Sequence, residues 1–326
     1  MLTSLPDPAP PAVRRTLSLE VSPDGDWTEG LRVTAAGRDL LVTGDGSLVL
    51  RAARISVTLD IASRVTGIES ELPAAVTDPL IGATVVRGFR ARLAGLDALD
   101  PSSLESAVLD ELPTIRLISG YARMIELIGL NGPGPHDDRS SPMAGICAGW
   151  APGATADTRV RAGVPILSGT PLAPAVTAMT PYFHAEPDPR PRSMRRRRVL
   201  DVTDRGGGYE VFEYFRDSHF DAESREGALH EYEVHARVAL NAGYTLEHVD
   251  VVPHALPFGE CSLAAPNAAD LTGAPLRAIT GTVRERLAGT RSCTHLNDTL
   301  RFLRYVPALT GDLPGATTRK AGNSGS

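Results

Sequence analysis

Cysteine is scarce. The 326-residue chain holds three, Cys147, Cys261 and Cys293, with no C-x-x-C pair, which excludes a disulfide framework and a zinc knuckle of paired cysteines. Aromatic residues make up only 5% of the chain, and no apolar run approaches the roughly 18 residues that cross a bilayer. The Pro-rich start (Pro6, Pro8, Pro10, Pro11) has no signal-peptide core, so a cytoplasmic location without a membrane partner is expected. Basic charge is not in excess: 33 Lys and Arg against 39 Asp and Glu give a net charge of -6, which argues against nucleic acid as a partner. The motifs G-x-x-x-x-G-K-[ST], G-x-S-x-G and H-E-x-x-H are also missing, and Gly206-Gly207-Gly208 reads as a turn between strand-like runs. No cofactor is expected.

What is present is an ordinary globular composition, 42% hydrophobic and 22% charged, at about twice the length of a typical domain. Leu80-Ile-Gly-Ala83 through Arg90-Ala-Arg-Leu-Ala-Gly95 is similar to Leu271-Thr-Gly-Ala274 through Arg284-Glu-Arg-Leu-Ala-Gly289. The flanks follow one plan: an Arg pair (Arg14-Arg15, Arg197-Arg198) leads into strands, a Leu-Pro follows (Leu72-Pro73, Leu256-Pro257), and a helical pattern closes each unit. The expected fold is α+β, two similar halves of antiparallel strands followed by helices, packed as a pseudo-dimer. The boundaries expected are a disordered start over 1–13, a degenerate first repeat over 14–112, a helical then Pro/Gly-rich covering connection over 113–193, a second repeat over 194–309 and a disordered tail over 310–326.

Polar chemistry collects in the second half. Runs 209–221 and 229–240 read as a hairpin. Alternation puts Glu213, Asp217 and His219 on one face of the first strand, and Glu231, Glu233, His235 and Arg237 on one face of the second. If these faces coincide, imidazoles and carboxylates meet where acid–base chemistry is possible, though a solvated strand face has the same pattern. In Ser292-Cys-Thr-His-Leu-Asn-Asp298, Thr294 reads as a helix N-cap, Cys293 sits near the positive helix end that favours thiolate, and His295 and Asp298 share a face. This group reads as a nucleophile with its base, as half of a metal site completed by His219, His235 or His254, or as local packing. Six arginines between 190 and 198 read as strand residues paired with Glu213 or Glu233, or as a grip on a phosphate-bearing acyl-CoA.

Arg197-Arg198-x-x-Asp201, the strand Glu231-Tyr-Glu-Val-His-Ala236 and above all Gly289-Thr-Arg-Ser-Cys-Thr-His-Leu296 carry a resemblance to bacterial domain-of-unknown-function family 2889, whose G-x-x-G-C-T-H-L signature the last segment resembles with Ser292 at the second glycine. It spans about 195–306. The resemblance implies no reaction; it implies that Cys293, His295 and Glu233 belong to one domain, and that the first half is a copy with Leu99 to Ser103 in place of Cys-Thr-His. The favoured function is cofactor-independent acid–base chemistry (a hydratase or lyase, isomerase or hydrolase) on a hydrophobic or acyl small molecule. His295 and His219 are the expected acid and base, Asp217, Glu233 and Asp298 orient them, and Cys293 is a further candidate. Trp150, Tyr214, Phe215, Phe258 and His235 are expected to hold the substrate. A non-catalytic binding or assembly module and a metal-dependent hydrolase using His219, His235 and His295 are the alternatives, and homodimerisation is left open.

Overall fold

The computed structural model describes residues 2–131, 143–166, 169–241 and 243–315. Eight strands form one antiparallel sheet: β1 (Ala12–Asp24), β2 (Asp26–Thr43), β3 (Gly46–Asp60), β4 (Val65–Ser70), β5 (Met194–Asp204), β6 (Gly208–Phe220), β7 (Glu226–Ala239) and β8 (Leu246–Ala255). Each set of four is a meander of consecutive hairpins. The two meanders meet where β1 pairs with β5, from Ala12 opposite Thr203 to Val21 opposite Met194, so the strand order is β4-β3-β2-β1-β5-β6-β7-β8. With strands and helices both present, the α+β expectation holds.

Alternation along β1 decides what faces what. Val13, Leu17, Leu19 and Val21 point into the main core, together with Leu200 and Val202 of β5 and the helices Phe89–Ala94, Leu104–Asp110, Ile279–Arg286 and Thr294–Phe302. Gly37 of β2 lets the first half's helix settle, because a Cβ there would lie 2.4 Å from Leu17 and 2.9 Å from Leu104. The other face of the inner strands carries a smaller core of Leu5, Val176, Met179, Phe183, Val199 and Tyr214. The connection between the halves therefore serves both faces: its helix Ile115–Asn131 adds Ile115, Ile118 and Ala122 to the main core, and its Pro-rich end packs on the opposite side. The start of the chain, expected to be disordered, is also tied down: Leu5 is buried, its amide donates to Met179 O, and Ala12 and Val13 already belong to β1. Of the tail, Leu313 is buried, and 316–326 lie outside the described residues.

The L-x-G-A segments have the same local structure. In the first, Gly82 N donates to Val65 O, Val65 N to Ala83 O and Ala83 N to Leu80 O. In the second, Gly273 N donates to Leu246 O, Leu246 N to Ala274 O and Ala274 N to Leu271 O. Gly82 and Gly273 both hold a positive φ, 77° and 85°, the left-handed turn that glycine adopts without steric cost.

The arginine run is structural. Arg195 to Arg198 are buried, alternately on the two faces of β5. Arg195 and Arg197 meet Glu20, Glu186 and Glu226 on one side, while Arg196 and Arg198 meet Asp217, Asp298, Glu111 and Glu213 on the other. The expected partner Glu213 is among them, 3.2 Å from Arg198, and Glu233 is not. Such a network specifies register, since a one-residue slip would strand every charge.

Candidate functional site

A cavity of about 510 Å³ lies between the second half and the connection, on the helix-covered face of the sheet. Met194 of β5, Asp217 of β6 and Leu229 and His230 of β7 line it from the sheet, and Ile118, Tyr121 and Met124 from the helix Ile115–Asn131. Ile146, Cys147 and Trp150 of the connection close it against Phe258 and Cys261, while Cys293, Thr294 and His295 enter at the start of the helix Thr294–Phe302. Every cysteine of the chain lines this one cavity. Arg116, exposed, lies among its lining residues.

The cluster forms where β6 and β7 place Asp217 opposite His230 and the helix N-terminus sets Cys293 and His295 over them. The His230 and His295 rings stack, centroids 3.5 Å apart at 17°. Cys293 Sγ lies 4.0 Å from His295 Nδ1 and accepts a hydrogen bond from Tyr232 Oη at 3.3 Å. His295 Nε2 faces Asp217 Oδ2 at 3.6 Å. Asp217 in turn accepts two bonds from Arg196, Nε to Oδ1 at 2.7 Å and Nη2 to Oδ2 at 2.8 Å, so its carboxylate is held rigidly beneath the imidazole.

Burial sets the charge states here. It pushes His230 well below the usual imidazole value, with the neighbouring His295 ring acting in the same direction. It takes His295 down to about 3, with Arg196 adding to the effect. Both rings are neutral at pH 7, with a lone pair available on each. Burial also raises the Cys293 thiol, against the pull of the Tyr232 hydroxyl and the Leu296 and His295 amides; the thiolate expected from the helix end is therefore not favoured by this environment alone. Asp298, although buried, is kept well below its ordinary value by Arg196, Arg198, Arg301 and Arg90.

The sequence-predicted residues divide. His295, Cys293, Asp217, Trp150 and Phe258 line the cavity. His219 does not; it packs edge-on against Tyr121, ring centroids 5.4 Å apart. Asp298 sits behind the site, within the arginine network. Glu233 and His235 are on the other face of the sheet, where Glu233 meets His254 at 2.9 Å and the His235 side chain is 51% exposed. Tyr214 shares that face and donates to Glu231. Phe215 lies under Arg196 and Arg198 and does not line the cavity. The two polar strand faces thus do not coincide: β6 pairs Tyr214 with Glu233 and Asp217 with His230, so Glu213 and Asp217 face the helices while Glu231 and Glu233 face away. His219, His235 and His295 form no common metal site for the same reason. The helix N-cap is Cys293, one residue before the expected Thr294, and its side chain makes no capping bond.

The sequence pattern does not single out His230, Tyr232 or Cys261 as members of this site. A signal for His230 exists: it interrupts an otherwise apolar alternation with Tyr232, Val234, Ala236 and Val238.

Residues 194–308 match the family described as a protein of unknown function (DUF2889). No curated protein and no solved structure matches the chain. The DUF2889 match takes in about a third of the sequence, from the first residue of β5 into the last helix, Val306–Thr310, and so includes Asp217, His230, Cys293 and His295. The cavity wall from Arg116 to Ile166 lies outside it. No helix among the described residues is long and apolar enough to cross a membrane.

Proposed function

We propose that the cavity is the reaction site of a small-molecule enzyme that transfers protons on a hydrophobic or acyl substrate, in the manner of a hydratase or lyase, an isomerase or a hydrolase. One observation carries the reading: an apolar cavity large enough for a small ligand ends on a buried imidazole pair whose carboxylate partner is itself clamped. Asp217 orients His295 and stabilises the imidazolium when a proton arrives, the role of the third member of a triad. Met194, Ile118 and Trp150 suit an acyl chain, and Arg116 suits an anionic head group. The arginine run does not hold the substrate, because its guanidinium groups are buried and paired within the fold; Arg196 contributes only by fixing Asp217.

The reading is tested by turnover of acyl-thioester, enone and lactone substrates by wild type and His295→Gln, each shown folded by circular dichroism. Turnover by the wild type that falls about 100-fold or more in the variant is expected. An unimpaired variant would remove His295 from the mechanism.

The same proposal includes an origin. The mirrored strand order, the corresponding positions of Arg15 opposite Leu200 and Arg198 opposite Leu17, and the matching L-x-G-A hydrogen bonds favour an internal duplication arranged as a pseudo-dimer. The first copy then serves as a scaffold, and the second carries the chemistry.

A further inference from the structure

We infer that His230, Cys293 and His295 form a binding site for a late first-row transition-metal ion of the zinc class. One ligand atom from each of the three lies within 4.8 Å of the others. A tetrahedral zinc ion, with bonds of about 2.0–2.3 Å, holds its ligand atoms roughly 3.3–3.7 Å apart, so the ligand atoms must close by about an ångström and one imidazole must turn out of the present stack for both in-plane lone pairs to meet at the ion. The donors are two imidazoles and a sulfur, with no carboxylate among them, a set that selects zinc-class ions over magnesium or calcium.

The surroundings fit a metal site in three further ways. His295 presents Nδ1 toward Cys293 at 4.0 Å and Nε2 toward Asp217 at 3.6 Å. That is the order of a metal–imidazole–carboxylate relay in which the outer carboxylate fixes the ring. Arg196 fixes Asp217 in turn, through two hydrogen bonds. Finally, three protein ligands leave a fourth position, which opens on the 510 Å³ cavity rather than on the core, as catalytic zinc sites require.

This inference rests on the proposed function only for the location of the reaction; with the ion bound, His295 is a ligand held by Asp217 and is no longer the proton carrier. In the loaded protein the ion, rather than an imidazole, polarises an acyl carbonyl or acidifies a bound water, which favours the hydrolytic branch. The test uses the full chain, stripped with a chelator and dialysed, then titrated with ZnCl2 by calorimetry and with CoCl2 by absorption spectroscopy. One equivalent of Zn(II) with a dissociation constant of about micromolar or tighter is expected, and Co(II) should show thiolate charge-transfer absorption. His230→Gln and Cys293→Ser should each weaken zinc at least roughly 100-fold, whereas His235→Gln, on the other face of the sheet, should not. Less than a tenth of an equivalent bound would overturn the inference, as would a cobalt spectrum without the thiolate band or variants that bind as the wild type does. The cobalt spectrum of the wild type decides the matter even where a variant fails to fold. Stoichiometric zinc without turnover of the substrate panel would sink the enzyme reading and keep the ion. Turnover by zinc-free protein that binds no zinc would do the reverse.

Discussion

The helices Leu104–Asp110 and Thr294–Phe302, one beside each half of the sheet, differ in what stands at the N-cap. In the first half Ser103 caps the helix Leu104–Asp110, its Oγ accepting from Ser106 N at 3.0 Å. In the second, Cys293 stands at that position and makes no capping bond; its sulfur instead meets Tyr232 and approaches His295. Serine is among the best N-caps, so the second half forgoes an ordinary stabilising contact to place a thiol at the wall of a cavity. Local rules are broken where a site needs something else, and here the break coincides with the stacked imidazoles and all three cysteines of the chain.

The largest effect should come from the charges that bind the halves together. Arg198 serves Glu111, Glu213 and Asp298 at once, all buried. Glu111 and Asp298 keep Arg196 when Arg198 is removed, but Glu213 keeps no ion pair among the described residues, so Arg198→Met should cost about 3–5 kcal/mol by urea unfolding, the usual range for uncompensated buried charge. Arg15→Met should cost clearly less, because Arg51 still reaches Asp39 at 3.4 Å; equal losses would contradict this difference between the halves.

Acid should come next. Burial, helped by nearby Arg38, takes His184 from the usual 6.5 to about 3. As pH falls through 6.5 the unfolded chain takes up this proton first, so stability should be lost progressively down to about 3, and it rises with pH across that window. His219 and His230 are shifted in the same direction by burial. Urea midpoints at pH 7 and pH 5 should show the loss, and His184→Gln should make it shallower. A midpoint that does not move would contradict the neutral, buried state of His184.

Smaller effects test the likeness of the halves. A Cβ at Gly82 or Gly273 meets nothing within 4 Å, so Gly82→Ala and Gly273→Ala should each cost about 1 kcal/mol through the positive φ alone. Costs that differ by more than that would show that the two turns are not equivalent. Ser103→Ala should lose about 1 kcal/mol. Cys293→Ser should leave stability unchanged or raise it by a few tenths of a kcal/mol, while weakening zinc at least roughly 100-fold.

Much of this plan was legible because it depends on local pattern. The hairpin of β6 and β7, the L-x-G-A turns and the Cys-Thr-His helix start each rest on neighbouring residues. The site itself depends on register. β6 is buried on both faces, with Tyr209, Val211 and Phe215 on one side and Phe212 and Tyr214 on the other, so alternation could not say which face met the helices. Alternation alone groups Glu233 and His235 with His295, whereas the pairing of Tyr214 with Glu233 turns them to the other face. His230 falls on the apolar side of β7, where alternation reads as core, and its pairing with Asp217 brings it beneath Cys293 and His295.

The most direct test contrasts the halves through their tryptophans, of which the chain has two. Trp150 lines the cavity, while Trp27 is buried in the first half with its indole nitrogen unpartnered, so phenylalanine should replace it at little cost. Trp27→Phe protein, titrated with a medium-chain acyl thioester, should show a saturable change in Trp150 fluorescence, and Trp150→Phe protein should show none from Trp27. No saturable change in Trp150 up to the solubility limit of the ligand, or an equal change in Trp27, would contradict the assignment of the second half's cavity as the substrate site.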